Sequence, residues 1–187
     1  MHVYKKRPDI KCMVHTHPFH VSALSQIGVP LHISHMDVMG LYREMGFLAE
    51  WPGIPFGDEE GEIIAGVLGA TNWAALLAHH GLIVGGRTIE EATYRAYFFE
   101  QAAEMQLKVT VLKVHSEQVA CAHRVRAFKV MAAFGHSDLS RLPQVDKELA
   151  QRAHDWRISD GPVKAHFNSW ARQALRKGHG DALTGKS

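Results

Sequence analysis

The sequence predicts a β-sheet covered by helices, in an α/β or α+β arrangement within one domain. Three observations favour this fold class. The 187 residues are 46% apolar and 21% charged, which provides a sizeable core and excludes global disorder. Short apolar runs typical of strands alternate with helical patterns in the first two thirds of the chain. The last third contains helical patterns only.

The first predicted elements are a strand and a short helix. Residues 11–17 are typical of a strand, which Pro18 ends because proline cannot donate a hydrogen bond to a neighbouring strand. A helical pattern follows over 19–27, with Gly28 as its stop. The apolar residues 29–33 predict a second short strand.

A loop-rich region and another helix come next. Residues 34–57 combine glycine, proline and aromatic residues, which predicts loops with one helical turn over 36–41. Asp58 is a typical N-cap and Gly69 a typical C-terminal stop. The apolar spacing between these two residues therefore predicts a helix.

Two adjacent apolar runs, 73–80 and 81–86, predict buried strands. Thr88 and Glu91 then fit a capping box, in which the hydroxyl and the carboxylate bond opposite backbone donors. A long helix is expected from there to about Leu107 or beyond.

Helical patterns make up the rest of the chain, over 118–134, 143–156 and 162–177. We therefore expect residues 1–115 to form the core of the domain. Residues 116–187 should form a helical extension and tail of the same domain.

Composition excludes several classes of function. The net charge is +2, from 21 basic and 19 acidic residues, so we expect no nucleic-acid partner. No apolar run approaches the length of a membrane span, and we expect no membrane partner. The two cysteines, Cys12 and Cys121, lack metal or disulfide spacing, which predicts a reduced, cytoplasmic compartment.

The sharpest local pattern is a His-x-His pair near the end of the first strand. His15 and His17 would point to the same side of that strand, where both imidazoles can bind one ion. His80 is the best third ligand, because it ends an apolar run and Gly81 leaves room for close approach. A catalytic zinc typically takes three protein ligands and one open position. Isolated surface or core histidines without a shared metal are the alternative reading.

Together these motifs resemble the class II aldolase/adducin family, which includes L-fuculose-phosphate aldolase and L-ribulose-5-phosphate 4-epimerase. The resemblance extends from about Tyr4 to Leu107. It rests on four blocks of sequence, which are Tyr4-Lys5-Lys6-Arg7-Pro8-Asp9, Val14-His15-Thr16-His17-Pro18, His80-Gly81-Leu82-Ile83-Val84-Gly85-Gly86 and Thr88-Ile89-Glu90-Glu91-Ala92.

The resemblance implies a three-layer α/β/α fold with a largely antiparallel central sheet. It also implies that His15, His17 and His80 bind a divalent metal, usually zinc, with Mn²⁺ or Co²⁺ as alternatives. Family members act on small-molecule substrates and commonly form homo-oligomers, as cyclic tetramers with active sites between subunits.

Two departures from the family pattern affect the catalytic residues. The acid/base glutamate of the aldolases lies upstream of the Tyr4 block, so we expect this chain to lack the N-terminal part of the fold. The family also uses a tyrosine near the C-terminus, where this chain has none. Tyr42 is the remaining tyrosine candidate. His35 falls where a decarboxylase-like branch carries a histidine, and it is a candidate substrate contact or proton donor, or else a surface histidine.

The function expected from these residues is that of a metal-dependent carbon–carbon lyase. It would act as an aldolase on a small hydroxy-carbonyl or sugar-like substrate, through an enediolate that the metal stabilises. One alternative is a metal-dependent decarboxylase of a hydroxy acid or aromatic carboxylate. Another is a non-catalytic, adducin-like interaction domain, against which the retained histidine triad argues.

Overall fold

The fold is a four-stranded sheet with helices on both faces. The computed structural model describes residues 2–50, 59–122 and 146–178, with side chains of the long central helix described up to Val111. The strands are β1 (Cys12–Thr16), β2 (Met45–Leu48), β3 (Ala74–Leu77) and β4 (Gly81–Gly86). The helices are α1 (His2–Lys6), α2 (Phe19–Ile27), α3 (Glu59–Leu68), α4 (Ile89–Ala122), α5 (Lys147–Arg157) and α6 (Asp160–Arg176), with a 3₁₀ helix over Met36–Leu41.

The strand order in the sheet is β1-β4-β3-β2. β4 pairs antiparallel with both β1 and β3, whereas β2 pairs parallel with β3. In the β1–β4 pair, Cys12 lies opposite Gly86 and Thr16 lies opposite Leu82. The prediction of a largely antiparallel sheet is therefore confirmed.

Each face of the sheet packs against its own pair of helices. Alternation along β3 sends Ala74 and Leu76 into a core with α2 and α4. Ala75 and Leu77 enter a second core with α1 and α3. The predicted three layers are thus observed, with the sheet between two apolar cores.

Two predicted helix signals are observed, the second of them in part. The helix over Phe19–Ile27 ends at Gly28, whose φ of 70° is a left-handed conformation that glycine adopts at no steric cost. The backbone N–H of Glu91 donates to Thr88 Oγ1 at 3.2 Å, as in a capping box. The Glu91 carboxylate instead accepts from the backbone N–H of Arg87, one residue before the expected partner, at 2.9 Å.

The Arg-Pro-Asp motif near the start of the chain has a structural role. Arg7 is buried, and its guanidinium donates to the backbone carbonyls of Gly69 at 3.1 Å and Asn72 at 2.8 Å. Asp9 binds the same guanidinium in a bidentate pair, which lowers the pKa of that carboxyl. The motif therefore holds the end of α3 against α1.

The strand predicted over 29–33 is wrong. The backbone there has no strand partner among the described residues, and the side chain of Gln106 makes two hydrogen bonds to it instead. Gln106 Oε1 accepts from the backbone N–H of His32 at 2.7 Å, and Gln106 Nε2 donates to the carbonyl of Pro30 at 3.0 Å. A buried amide on α4 thus satisfies the segment while its apolar side chains join the core.

Two other boundaries also differ from the sequence predictions. β2 (Met45–Leu48) forms inside the region predicted as loops, because its edge position against β3 supplies a ladder that local propensity does not reveal. The predicted strand over 73–80 ends at Leu77. Of the helix predicted over 118–134, residues 118–122 belong to α4 and the rest lies outside the described residues, as does the predicted tail after Gly178.

The helix α5 is tied to the core by a buried ionic network. Arg95, 1% exposed, binds Glu44 at 3.2 Å and Glu91 at 3.1 Å. His154 on α5 extends the network, with Nε2 at 3.2 Å from the second oxygen of Glu44 and Nδ1 at 3.1 Å from Asp155. Burial alone would lower the pKa of His154, but the hydrogen bonds to Glu44 and Asp155 outweigh it, and the pKa is raised.

No helix in the described part of the chain is both long enough and apolar enough to span a bilayer.

The His154–Glu44 pair predicts a pH-dependent stability. Protonated His154 stabilises the fold below about pH 6.5, the ordinary histidine value, and this contribution is lost as the pH rises through the higher folded-state pKa. The free energy of unfolding, measured by urea denaturation with a chelator present, should therefore fall as the pH rises above about 6.5. His154→Gln should flatten this dependence, and an unchanged pH slope in this variant would contradict the proposed role of His154.

Glu44→Gln should destabilise the fold by roughly 3 kcal/mol, because it leaves Arg95 without one of its two carboxylates. Urea denaturation measures this loss.

Candidate metal centre

Three histidines converge at one end of the β1–β4 pair. His15 lies on β1, His17 follows the strand, and His80 precedes β4. One ring nitrogen from each lies within 4.8 Å of the others. The ring centroids form a nearly equilateral triangle with sides of 4.8, 4.9 and 5.1 Å. The three histidines singled out from the sequence are thus brought together.

The alternation of β1 and one backbone hydrogen bond orient the first two rings. His15 and His17 are both exposed on the same side of the chain, whereas Thr16 lies on the other. His15 Nδ1 lies 2.9 Å from the carbonyl oxygen of Leu82, which can only accept, so Nδ1 carries the proton. The lone pair of His15 is then on Nε2, 3.0 Å from His17 Nε2.

The third ring is presented by a tight turn, which corrects the expectation that His80 ends a regular strand. β3 stops at Leu77, and three residues connect it to β4. His79 has a φ of 56°, an unusual value for a residue with a side chain, and its N–H donates to the carbonyl of Ser25 at 3.1 Å. This conformation closes the hairpin and leaves His79 exposed and His80 half-buried.

Gly81 makes room for the cluster. A Cβ atom at this position would lie 2.3 Å from His17 Cδ2 and 2.9 Å from the backbone oxygen of Thr16. Both distances are shorter than real Cβ contacts, and the second involves backbone that cannot move freely. The absence of a side chain at residue 81 is therefore a steric requirement of this arrangement.

The electrostatics of the cluster favour a neutral imidazole at His80. Burial lowers the pKa of His80, and the neighbouring rings of His15 and His17 lower it further. The negative charge of Glu60 raises the pKa of His80, and this is the smallest of the four contributions. Because its pKa is lowered, the His80 ring keeps a lone pair for a ligand at neutral pH.

The donor set fits a divalent metal of borderline softness. Three imidazole nitrogens and no thiolate make up the cluster among the described residues, and zinc is commonly bound in this way at catalytic sites. Because His15 and His17 are exposed, a small molecule can approach the same point from solvent. The arrangement can therefore hold one cation with a position open for substrate.

Glu60 is a residue of this region that the sequence reading missed. It is half-buried in the first turn of α3, where acidic residues are common because they complement the helix dipole. In the sequence, Glu60 therefore cannot be distinguished from Glu59 and Glu62, the other acidic residues of this turn. Glu60 is distinguished by the effect of its charge on the pKa of His80.

His35 and Tyr42 flank the 3₁₀ helix and are not part of the cluster of metal-ligand atoms in the described residues. His35 is exposed, and its Nδ1 accepts from the backbone N–H of Asp37 at 3.2 Å as a helix cap. Tyr42 is half-buried at the other end of this helix. Val38 and Leu41 between them pack into the core with α2 and α4. The catalytic roles of His35 and Tyr42 stay predictions.

Sequence comparison relates the chain to proteins of two kinds. The family model described as Class II Aldolase and Adducin N-terminal domain matches residues 1–107. The meiotically up-regulated gene 14 protein of Schizosaccharomyces pombe is 30% identical over 107 residues, which cover 57% of this chain and 41% of that protein. Gamma-adducin of Mus musculus is 32% identical over 112 residues, which cover 57% of this chain and 15% of the adducin. The chain spans less than half the length of either relative.

Two solved structures share the fold. An aldolase II superfamily protein from Pseudomonas syringae superposes with a TM-score of 0.66 at 18% identity, over 95% of this chain and 61% of that one. An L-fuculose 1-phosphate aldolase from Glaciozyma antarctica PI12 gives a TM-score of 0.60 at 18% identity, over 94% and 57% of the two chains. At this level of identity the likeness concerns the fold.

The close approach at Gly81 predicts that Gly81→Ala weakens metal binding. The added methyl group must displace the His17 ring, so the zinc dissociation constant, measured against a competing chelator, should rise by at least about tenfold. Overpacking should also cost roughly 1–3 kcal/mol of stability. Gly66→Ala is the matched control, because a Cβ there meets nothing within 4 Å and alanine favours the helix. Equal zinc affinity in the two variants would contradict the proposed geometry.

Proposed function

Because the chain belongs to the class II aldolase and adducin family, we propose that it is a metal-dependent carbon–carbon lyase. It acts as an aldolase on a small hydroxy-carbonyl or sugar-like substrate. The observation that supports this proposal most strongly is the convergence of His15, His17 and His80 at a site that solvent can reach. A scaffold domain has no structural need for three converging imidazoles at one exposed point.

We propose that these three histidines hold one divalent cation. When bound there, the cation supplies positive charge that polarises a substrate carbonyl and stabilises the negative charge developing beside it. The hydrogen bond from His15 Nδ1 to the Leu82 carbonyl keeps that ring in one tautomer and one orientation. Zinc is the proposed ion, with Mn²⁺ or Co²⁺ as alternatives.

A retro-aldol cleavage also needs a proton acceptor. The base removes the proton of the hydroxyl group that becomes the aldehyde, and the carbon that keeps the bonding electrons is protonated afterwards. Glu60 is our candidate for this base, because its carboxylate is half-buried and its charge reaches His80. His35 and Tyr42 stay candidates for substrate contact or proton donation.

An adducin-like interaction domain is the second candidate function. The similarity to gamma-adducin favours it, since that relative is 32% identical over 112 residues, whereas the two solved structures are 18% identical to this chain. Decarboxylation is a third outcome of the same centre, because it also leaves negative charge beside a carbonyl. For either enzymatic reading, we propose a cytoplasmic homo-oligomer, of which a tetramer is the form common in the family.

Cleavage assays on the purified chain test the enzymatic proposal. A panel of short hydroxy-ketones and their phosphate esters is incubated with the protein, and aldehyde release is followed by a coupled reductase. We expect zinc-dependent cleavage that a chelator abolishes, and about one metal ion per chain by elemental analysis. His80→Ala should lose the metal and the activity while staying folded, because its ring is half-buried at the surface and not in either apolar core.

His79→Asn is the matched control for the loss of one histidine. Asparagine tolerates the positive φ at this position, and His79 is exposed beside the cluster, so metal content and activity should be kept. Activity that resists the chelator would contradict the metal proposal. A metal-loaded chain that releases carbon dioxide from carboxylate substrates and no aldehyde would identify a decarboxylase, and one that cleaves no substrate would favour the interaction domain.

Glu60→Gln separates proton transfer from metal binding. Loss of a general base lowers kcat by about 10²–10⁴, whereas the metal content should stay unchanged. Glu59→Gln, one residue away and exposed, is the control and should leave kcat unaltered. Equal rates for the two variants would exclude Glu60 as the base.

A further inference from the structure

A cavity of about 290 Å³ lies on the opposite side of α4 from the sheet and is lined by none of the three histidines. Residues of α4, α6, the end of α5 and the 3₁₀ helix surround it. Its volume is close to the lower end of the range of about 300–1,000 Å³ typical of small-molecule sites. The cavity therefore suits a ligand with a single ring.

Aromatic rings form one wall of this cavity. Tyr97 and Trp170 pack with their centroids 4.5 Å apart and their planes inclined by 38°. Phe98 and His166 lie beside them, with centroids 5.4 Å apart. Tyr97 is 44% exposed and Trp170 is half-buried, so the wall is open to an incoming molecule. A planar ring can stack against such a wall.

A positively charged side chain, that of Arg157, lines the cavity. The guanidinium of Arg157 lies 5.7 Å from the Phe98 centroid, and its side chain is 17% exposed. Nη2 of this guanidinium donates to Oδ1 of Asp37, whose side chain is 60% exposed. A guanidinium carries five N–H donors, so the pair with Asp37 does not use all of them.

The balance of charge and polarity favours an acceptor-rich ligand. The positive group is shielded from water, whereas the negative group that neutralises it is mostly hydrated and can be displaced from the pair at low cost. His166 donates through Nδ1 to the Pro162 carbonyl at 2.8 Å, so the Nε2 of this ring is an acceptor and Arg157 is the donor on which an anionic group depends. Gln101 adds an amide to the lining.

From these observations we propose that this cavity binds a small aromatic carboxylate, with the ring against Tyr97 and Trp170 and the carboxylate on Arg157. The site is separate from the histidine cluster, and its occupation does not depend on the proposed lyase activity. Asp37 competes with the ligand for Arg157 and so limits its affinity.

Calorimetric titration of the full chain with benzoate tests the proposal. The experiment is run with zinc and with a chelator, so that a carboxylate on a bound cation can be distinguished from one in the cavity. We expect saturable binding in both conditions and much weaker binding of benzyl alcohol, which has the ring without the charge. Cyclohexanecarboxylate, which has the charge without the planar ring, should also bind more weakly.

Two variants with opposite expected effects make the test specific. Arg157→Gln should weaken benzoate binding by at least about tenfold, the effect of losing a charge-assisted hydrogen bond. Asp37→Asn should strengthen it several-fold, because the competitor for Arg157 loses its charge, and this exposed substitution does not endanger folding. Lys164→Gln, which removes a positive charge from α6 outside the cavity, is the control and should change nothing.

Four results would overturn the proposal. They are the absence of saturable benzoate binding, binding that disappears with the chelator, benzyl alcohol binding as tightly as benzoate, and an affinity that Asp37→Asn leaves unchanged or lowers.

Discussion

The antiparallel register of β1 against β4 is the constraint on which the histidine cluster depends. Thr16 lies opposite Leu82, so His17 meets the start of β4 beside Gly81, and the Leu82 carbonyl reaches His15 Nδ1. A slip of one residue would send His15, and His17 just after the strand, to the other face of the sheet. Val14 and Met13 pack against the two different cores from β1 and oppose such a slip, because it would exchange their faces. The stability of the sheet and the geometry of the cluster are therefore set by the same pairing.

The layered fold separates three kinds of chemistry. The histidines lie at the end of the strands, where their ring nitrogens are open to solvent. The charged side chains of Arg95, Glu44 and His154 are buried away from that end and fasten α5 to the core. The aromatic cavity lies beyond α4, where α6 covers the outer face of that helix. A ligand in the cavity and a cation at the histidines can thus be bound independently.

Periodicity predicted the parts of the molecule whose hydrogen bonds are local. The helix over Phe19–Ile27, the capping box and the convergence of the His-x-His pair all follow from neighbours in sequence. β2 and the segment over 29–33 were beyond its reach, since distant partners supply their hydrogen bonds. The turn that presents His80 depends on the positive φ of His79, which no pattern in the sequence indicates. The effect of the Glu60 charge on His80 depends on the tertiary fold and has no pattern in the sequence either.

The central claim is that His15, His17 and His80 bind the same cation. X-ray absorption at the zinc edge, on protein loaded with one equivalent of zinc, tests it most directly. We expect three imidazole nitrogens at about 2.0–2.1 Å, with an oxygen ligand completing the shell. We also expect His80→Ala to retain too little zinc to give this spectrum. A shell containing sulfur at about 2.3 Å, or one made of oxygen alone, would contradict the account.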